Sequence, residues 1–469
     1  MRRPIFGNKE FFRGLIAIGL PIALQNLLTN SLSLVDSLMV GQLGEGAIAA
    51  VGVAGQFSQL MFGFYWGICC GGTTFFAQYF GAGDERGIRR SYGLTMSLVL
   101  LIGFVFSLMA ICFPQAVMSM YTSEADVQAL GVRYMRIVGL SYMFTTFSMA
   151  LSCLLRSLEQ VRLPLIASVA SLAVNTLLNY ALITGNLGAP ALGVEGAAIA
   201  SCVAAVMNFA VLLLVSIRQK NIAVTNFKQM FEWPREFLAD YARKCSPIVL
   251  NETLYGLALM VVNIVIGRQG EANIAAMTIF RTIEGLIYAF FRGLSSACTT
   301  MVGKHVGAGE LDVAIDYTRW YARFTPLVAF VMTALVLTIN RPLLGLFDVS
   351  DSVKQTVVYM LMIYAVMAPF RYCDYVEIYA FRAGGESRMG MYFEVGSIWL
   401  ITVPLTALCG LVMHLPFVWV FFATFVEEVV KLPIETHYMN SLRWIKPVTP
   451  EGRAALARLN LNRTDAAKA

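Results

Sequence analysis

From end to end the chain alternates long apolar runs with short polar breaks. The runs fall at roughly 14–40, 48–80, 92–113, 132–155, 163–184, 191–217, 245–267, 274–302, 318–340, 356–381, 389–412 and 415–437. Each has the ~20 mainly apolar residues that let a helix cross a bilayer. The pattern predicts an all-α membrane protein of twelve transmembrane helices. The run that follows the basic start "MRRPIFGNKEFFRG" contains Gln25, Asn26, Asn30 and Asp36. A cleavable leader has a shorter and purely apolar core, so this reads as a first span that stays attached.

The polar breaks differ in charge. One set carries Arg2, Arg3, Lys9 and Arg13, then Arg86, Arg89 and Arg90, then Arg156 and Arg162. It continues with Arg218, Lys220, Lys228, Arg235, Arg243 and Lys244, and later with Lys304, Arg319, Arg323, Arg382, Arg388, Arg443 and Lys446. The opposite set carries Arg268, Arg341 and Lys354. Lysine and arginine collect on the cytoplasmic side. Both termini and the polar stretch 218–244 are therefore expected in the cytoplasm, with the protein multi-pass in the cell (plasma or inner) membrane.

An internal repeat organises the runs. "LPIALQNLLTN" from Leu20 aligns with "SPIVLNETLYG" from Ser246, so that Pro21 meets Pro247, 226 positions on. The same shift lays "VGQLGEGAIAA" on "IGRQGEANIAA", "GAGD" on "GAGE", Arg156 on Arg382 and Pro190 on Pro416. One ungapped offset over this length marks a duplication. Each repeat holds six runs, an even number, so both halves enter the membrane from the same side. Such parallel repeats are related by a pseudo-two-fold axis along the membrane normal. The expected organisation is an N-lobe (1–217, helices 1–6), a cytoplasmic linker (218–244), a C-lobe (245–446, helices 7–12) and an amphipathic or frayed cytoplasmic tail (447–469). Two lobes that rock about a cleft make a transporter rather than a fixed pore.

Composition agrees: of 469 residues, 58% are hydrophobic and 14% charged, against about 45–50% and about 25% in soluble domains. The net charge of +6 is accounted for by the breaks, and no basic stripe suits nucleic acid. Nine cysteines lie in or beside apolar runs without a C-x-x-C pair, and there are three histidines. These read as small core residues and argue against haem or clustered-histidine metal chemistry. With no Ser/His/Asp or H-E-x-x-H pattern in the spans, an enzyme is not expected.

Candidate chemistry lies in the acids and bases inside the apolar runs. A charge at mid-bilayer costs at least about 2.5–3.5 kcal/mol and normally faces the bundle interior. Asp36 is taken to sit near the middle of the first run. Glu252 follows Pro247, where a missing backbone donor loosens the helix and could make a cation pocket. Span 8 has Arg281, Glu284 and Arg292; span 10 has Arg371, Asp374 and Glu377; Glu394 is in span 11; Glu427, Glu428 and Lys431 are in span 12. Spacings of three predict pairs Arg281–Glu284, Arg371–Asp374 and Asp374–Glu377 on single helix faces. Asp36 has no lysine or arginine in its own span, which makes it the proton-sensitive group. Asp374, beside Arg371, is expected to stay ionised and face substrate. Tyr65, Trp66, Tyr142, Tyr255 and Tyr288 are candidate cavity aromatics.

Several stretches resemble the multidrug and toxic compound extrusion (MATE) transporters of the oligosaccharide-flippase superfamily. They are "LPIALQNL…VDSLMVGQLGEGAIAAVG", "QYFGAGD", "LLRSLEQVRLPL", "VNTLLNYALITGNLGAPALGVEGAAIAS", "SPIVLNETLYG", "VGKHVGAGE", "FRAGGES" and "EEVVKLP". The resemblance covers about residues 10–446. It implies a monomeric two-lobed antiporter that exports small organic cations against inward H⁺ or Na⁺ and needs no cofactor. It also implies an N-lobe cation site of Asp36, Asn175, Asn179 and Ser201. Asn179 stands where some relatives have a second aspartate, leaving one carboxylate that suits H⁺ or Na⁺. In the C-lobe, Glu252, Glu284, Asp374 and Glu377 are candidate cation or substrate ligands, with Arg281, Arg292 and Arg371 as charge partners. Those arginines also keep open an alternative, a flippase or exporter for an anionic carboxylate, phosphate or lipid-linked substrate.

Overall fold

The computed structural model describes residues 4–345, 347 and 349–468, apart from the side chains of 32–34 and 462–468. Arg2 and Arg3 lie outside the described residues. The described chain is all-helical, with no strand among the described residues. Its principal helices are α1 (Lys9–Gly41), α2 (Glu45–Ala82), α3 (Glu85–Cys112), α4 (Ala125–Val138), α5 (Ser141–Ser157), α6 (Arg162–Leu182) and α7 (Val194–Arg218). There follow α8 (Arg235–Gly267), α9 (Glu271–Gly307), α10 (Leu311–Thr338), α11 (Asp351–Gly384), α12 (Arg388–Val412), α13 (Phe417–Ala423), α14 (Val426–Ser441) and α15 (Pro450–Lys468). Among the described residues ten helices are long and apolar enough to cross a membrane, or eleven if the bent pair α4–α5 is one span.

Two expected spans are broken. The fourth bends by 51° between α4 and α5. The last is split into α13 and α14 at Thr424 and Phe425. In α12 the backbone runs as π-helix on both sides of Pro404, at Ile398–Thr402 and Leu408–Val412. Proline brings no N–H to an i→i−4 bond, and the neighbouring amides Val403 and Met413 reach back five residues instead.

The helix turns repeat with the sequence. Gly44 and Gly270 have φ of +103° and +94°, and Gly83 and Gly309 have +70° and +80°. Both pairs are 226 apart, and each glycine supplies a left-handed turn that a side chain would strain. After Gly83, the Asp84 carboxylate accepts from the Gly87 amide at 2.9 Å and caps α3, satisfying a donor the first turn leaves open.

The chain packs as two compact units. One comprises Met1–Ala23, Ala77–Gly83 and Ser246–Ala469; the other comprises Leu24–Phe76 and Asp84–Cys245. The start of α1 and the last turns of α2 thus belong with the second repeat. The start of α8 belongs with the first.

Within the first of these units the ends of α2 and α9 touch backbone to backbone. A Cβ added at Gly81 would sit 1.8 Å from the Lys304 carbonyl oxygen, and one at Gly307 would sit 1.9 Å from the Gln78 carbonyl oxygen. Gln78 and Lys304 are themselves 226 apart, so the contact is reciprocal, as across a two-fold axis. No side chain fits there. Gly81→Val and Gly307→Val should each destabilise by at least about 3 kcal/mol, lowering the melting temperature in detergent. Gly55→Val, where no atom lies within 4 Å, is the matched control that should melt near wild type.

The linker and tail are more ordered than their polarity suggests. α8 begins at Arg235 rather than near 245, because Tyr241 packs on Phe75 (ring centroids 5.0 Å apart) and bonds Thr95 at 2.7 Å. Glu232 bridges Arg86 and Arg90 at 2.7 and 3.4 Å, and Arg86 holds its carboxyl below the usual glutamate range. The chain is clamped just before α15 starts. Trp444, Val448 and Thr449 are buried. The Val448 amide donates to Gln78 Oε1 at 2.7 Å, Gln78 Nε2 donates to the Ala383 carbonyl at 2.7 Å, and Thr449 Oγ1 donates to the Gly307 carbonyl at 2.7 Å.

Candidate functional site

In the unit of Leu24–Phe76 and Asp84–Cys245, Asp36 meets the two asparagines of α6. Asp36 stands five residues before the end of α1, about 8 Å along the axis. It is therefore close to the α1–α2 turn, not at mid-span as expected. Asn175 and Asn179 are four apart and share a face. The Asn179 Nδ2 group donates to Asp36 Oδ1 at 2.5 Å and to Asn175 Oδ1 at 3.0 Å. Both asparagines are fully buried and Asp36 is half-buried. With both amide hydrogens spent, Asn179 Oδ1 is a buried acceptor that no donor reaches among the described residues. Ser201 of α7 hydrogen-bonds to Tyr134 of α4. Tyr134 packs against the apolar cluster of Val40, Ala47, Ile183, Val194 and Ala197. Sequence reasoning missed Tyr134, because spacing along α4 does not say which helix its face packs against.

The second-repeat acids are held differently. Arg371 donates to Glu284 at 2.6 Å and lies 4.0 Å from Glu428. Arg382 donates to Glu252 at 2.9 Å and to Glu394 at 3.1 Å. Lys431 lies 2.8 Å from Asp374. Glu377 accepts from Thr436 at 3.0 Å. Arg281 donates to Asn263, and Arg292 lies over the Tyr288 ring, 6.0 Å from its centroid.

The expected same-helix pairs Arg281–Glu284, Arg371–Asp374 and Asp374–Glu377 therefore give way to pairs between helices. Neighbours three apart on one helix run side by side, whereas a partner on a facing helix meets a buried charge head-on and replaces its lost hydration. Asp374 does not face open space. It is 3% exposed and closed against Lys431.

One polar cluster recurs in both repeats. Arg156 Nη2 donates to Gln25 Oε1 at 2.7 Å, and Gln25 Nε2 donates to Ser168 Oγ at 2.8 Å. A shift of 226 gives Arg382, Asn251 and Glu394. There Arg382 and Asn251 Nδ2 both donate to Glu394 Oε2, at 3.1 and 2.5 Å. The positions are shared, but the arginine that donates to the amide in the first repeat donates to the carboxylate in the second, and an amide–hydroxyl pair has become an amide–carboxylate pair. Among the described residues no three His, Cys, Asp or Glu side chains are disposed to hold a metal ion. A Na⁺ at Asp36 would draw its remaining ligands from amide and hydroxyl oxygens.

The MatE family model matches the chain twice, over residues 21–181 and 247–408. The chain belongs to the MatE family. The two matches begin 226 residues apart, the offset of the repeat. Among the relatives, an uncharacterized transporter YisQ of Bacillus subtilis is 23% identical over 415 residues, covering 87% of this chain and 90% of the relative. A probable multidrug resistance protein NorM of Neisseria meningitidis is 26% identical over 398 residues, covering 82% and 84%. Similar solved structures include a mutant of the Vibrio cholerae MATE transporter VcmN, with TM-score 0.83, 18% identity and coverage of 92% and 97%. Another is a transporter of the MOP superfamily from Pyrococcus furiosus, with TM-score 0.79, 19% identity and coverage of 93% and 96%. The MATE fold and a multi-pass membrane transporter follow from these matches.

Proposed function

We propose that this MatE protein is a secondary antiporter that exports small organic cations in exchange for inward H⁺ or Na⁺. The observation that carries the reading is the way Asp36 is held. Glu252, Glu284 and Asp374 each meet an arginine or lysine, whereas the partner of Asp36 is a neutral amide. A paired acid has its counter-charge built in; Asp36 must take its own from solution. Asn179 Oδ1 and the Tyr134–Ser201 hydroxyls offer further oxygens beside it. The names of the multidrug resistance relatives support small-molecule drugs as cargo.

Twelve spans in two lobes, 1–217 and 245–446, joined by 218–244 and related by a pseudo-two-fold axis, are supported by the single offset. The reciprocal Gly81 and Gly307 contacts support the same axis. The Lys and Arg asymmetry supports cytoplasmic termini, and a monomer is the working unit. Alternating access then exposes Asp36 to each side in turn, so that loading and release of the coupling ion are tied to movement of cargo. The test uses purified protein in liposomes, a fluorescent organic cation, and a pH or a Na⁺ gradient imposed separately. Uptake driven by one gradient names the coupling ion; no uptake under either overturns the reading.

Asn179→Asp puts a second carboxylate within reach of the first. Monovalent cation binding should strengthen at least about tenfold, which is 1.4 kcal/mol of added attraction. Equilibrium binding of radioactive Na⁺ checks it, and an unchanged affinity would show that Asn179 does not line the site. One observation favours the anionic alternative: Arg281 is bonded to an amide rather than to a carboxylate. The same liposomes charged with an aromatic carboxylate test that alternative directly.

A further inference from the structure

After the break in the last span, α14 presents Glu427, Glu428, Lys431 and Glu435 on neighbouring turns, all buried. From α11, Asp374 faces them. The Lys431 ammonium is 2.8 Å from Asp374 Oδ2, 3.0 Å from Glu428 Oε2 and 3.9 Å from Glu427 Oε1. Its three N–H bonds thus have three carboxylates to serve. Glu435, one turn on from Lys431, is fully buried, and no donor among the described residues reaches either of its oxygens. Arg371, the other base nearby, is engaged by Glu284 at 2.6 Å and reaches Glu428 only at 4.0 Å. Glu377 lies one turn further along α11, bonded to Thr436.

Three carboxylates therefore lie within 4.0 Å of one ammonium, and a fourth, that of Glu435, is buried one turn further along α14. An ion pair that only clasps two helices needs one acid for its base, and every further buried acid costs several kcal/mol. Excess acid with an unserved, buried Glu435 is the composition of a site that attracts cations. The N–H geometry adds a preference: a primary ammonium offers three donors, and a quaternary ammonium offers none.

We propose that Asp374, Glu427, Glu428 and Glu435 form a binding site for a primary ammonium group, in which Lys431 is the chain's own tethered occupant. A cargo amine takes the same place when the Lys431 side chain leaves it. Lys431 thereby sets the affinity that cargo must exceed. The use of the site in export rests on the antiporter reading, whereas the site itself does not.

The experiment is thermal unfolding of full-length Lys431→Ala in detergent, titrated with methylammonium, tetramethylammonium or Na⁺. A ligand that binds only the folded state raises the melting temperature saturably. The expected result is a lowered melting temperature that methylammonium restores and tetramethylammonium does not, with no response in wild type. A folded variant that responds to no cation, or equally to methyl- and tetramethylammonium, overturns the proposal. If Lys431→Ala does not fold, Lys431→Met keeps most of the packing; recovery of folded protein only with methylammonium supports the site, and failure with it counts against it. In liposomes, Lys431→Gln should take up a primary-amine cargo with at least tenfold higher apparent affinity, a gain larger than that for a quaternary cargo. Equal loss of both would make Lys431 a clasp. Because melting needs no gradient, a failure of antiport and a failure of this site are read separately.

Discussion

Asp36→Asn protein in liposomes should accumulate no organic cation under either gradient, falling to the rate of empty liposomes, while its melting temperature stays near that of wild type. The asymmetry between the two readouts follows from the site. An asparagine is nearly isosteric with aspartate and still offers Oδ1 to the Asn179 amide 2.5 Å away, so packing is kept. What is lost is the negative charge, and no other acid is hydrogen-bonded to that amide. Asp36→Glu restores the charge on a longer arm and should recover part of the uptake. Full uptake by Asp36→Asn would remove Asp36 from the coupling step and move attention to the acids of α11 and α14.

The second large effect is on stability. Arg382→Met should cost about 3–5 kcal/mol, because it strands Glu252 and Glu394 without their shared base. Arg382 side-chain exposure is 5%, and its two acids are 24% and 13% exposed, so little water can step in. Adding Glu252→Gln and Glu394→Gln to Arg382→Met should regain most of the loss. Arg156→Met, at the equivalent place in the first repeat, strands the neutral amide oxygen of Gln25 and should cost about 1–3 kcal/mol. Thermal unfolding of the four proteins gives the order. Equal losses for Arg156→Met and Arg382→Met would mean that the carboxylates do not set the cost.

Much of the fold was legible because it depends on period and repetition. Apolar run length gave the helices, and the offset of 226 laid Gly44 on Gly270 and Gly83 on Gly309, which form equivalent turns in the structure. The broken last span was not legible, since "FFATFVEEVV" is as apolar before the break as a continuous helix would be. The first-repeat site was partly legible: Asp36, Asn175 and Asn179 do come together, while Ser201 needs Tyr134 beside it to have a place. The second-repeat pairings were misread for a physical reason. Spacing along one helix says which residues share a face, but which facing helix brings Glu284 to Arg371 or Lys431 to Asp374 is a matter of packing. Lys431 illustrates the limit: four residues from Glu427 in sequence, it finds its shortest contact 57 positions away.

The exchange of segments between the two compact units bears on how the chain is made. Residues 1–23 and 77–83 belong to a unit whose remainder starts at Ser246, and Arg235–Cys245 complete the other. When the ribosome has finished the first repeat, the part of its opening helix before Leu24 still awaits the rest of its unit, and that repeat itself lacks the turn bearing Tyr241. Each repeat therefore leaves part of its packing to chain that lies in the other, and a half made alone would expose those surfaces.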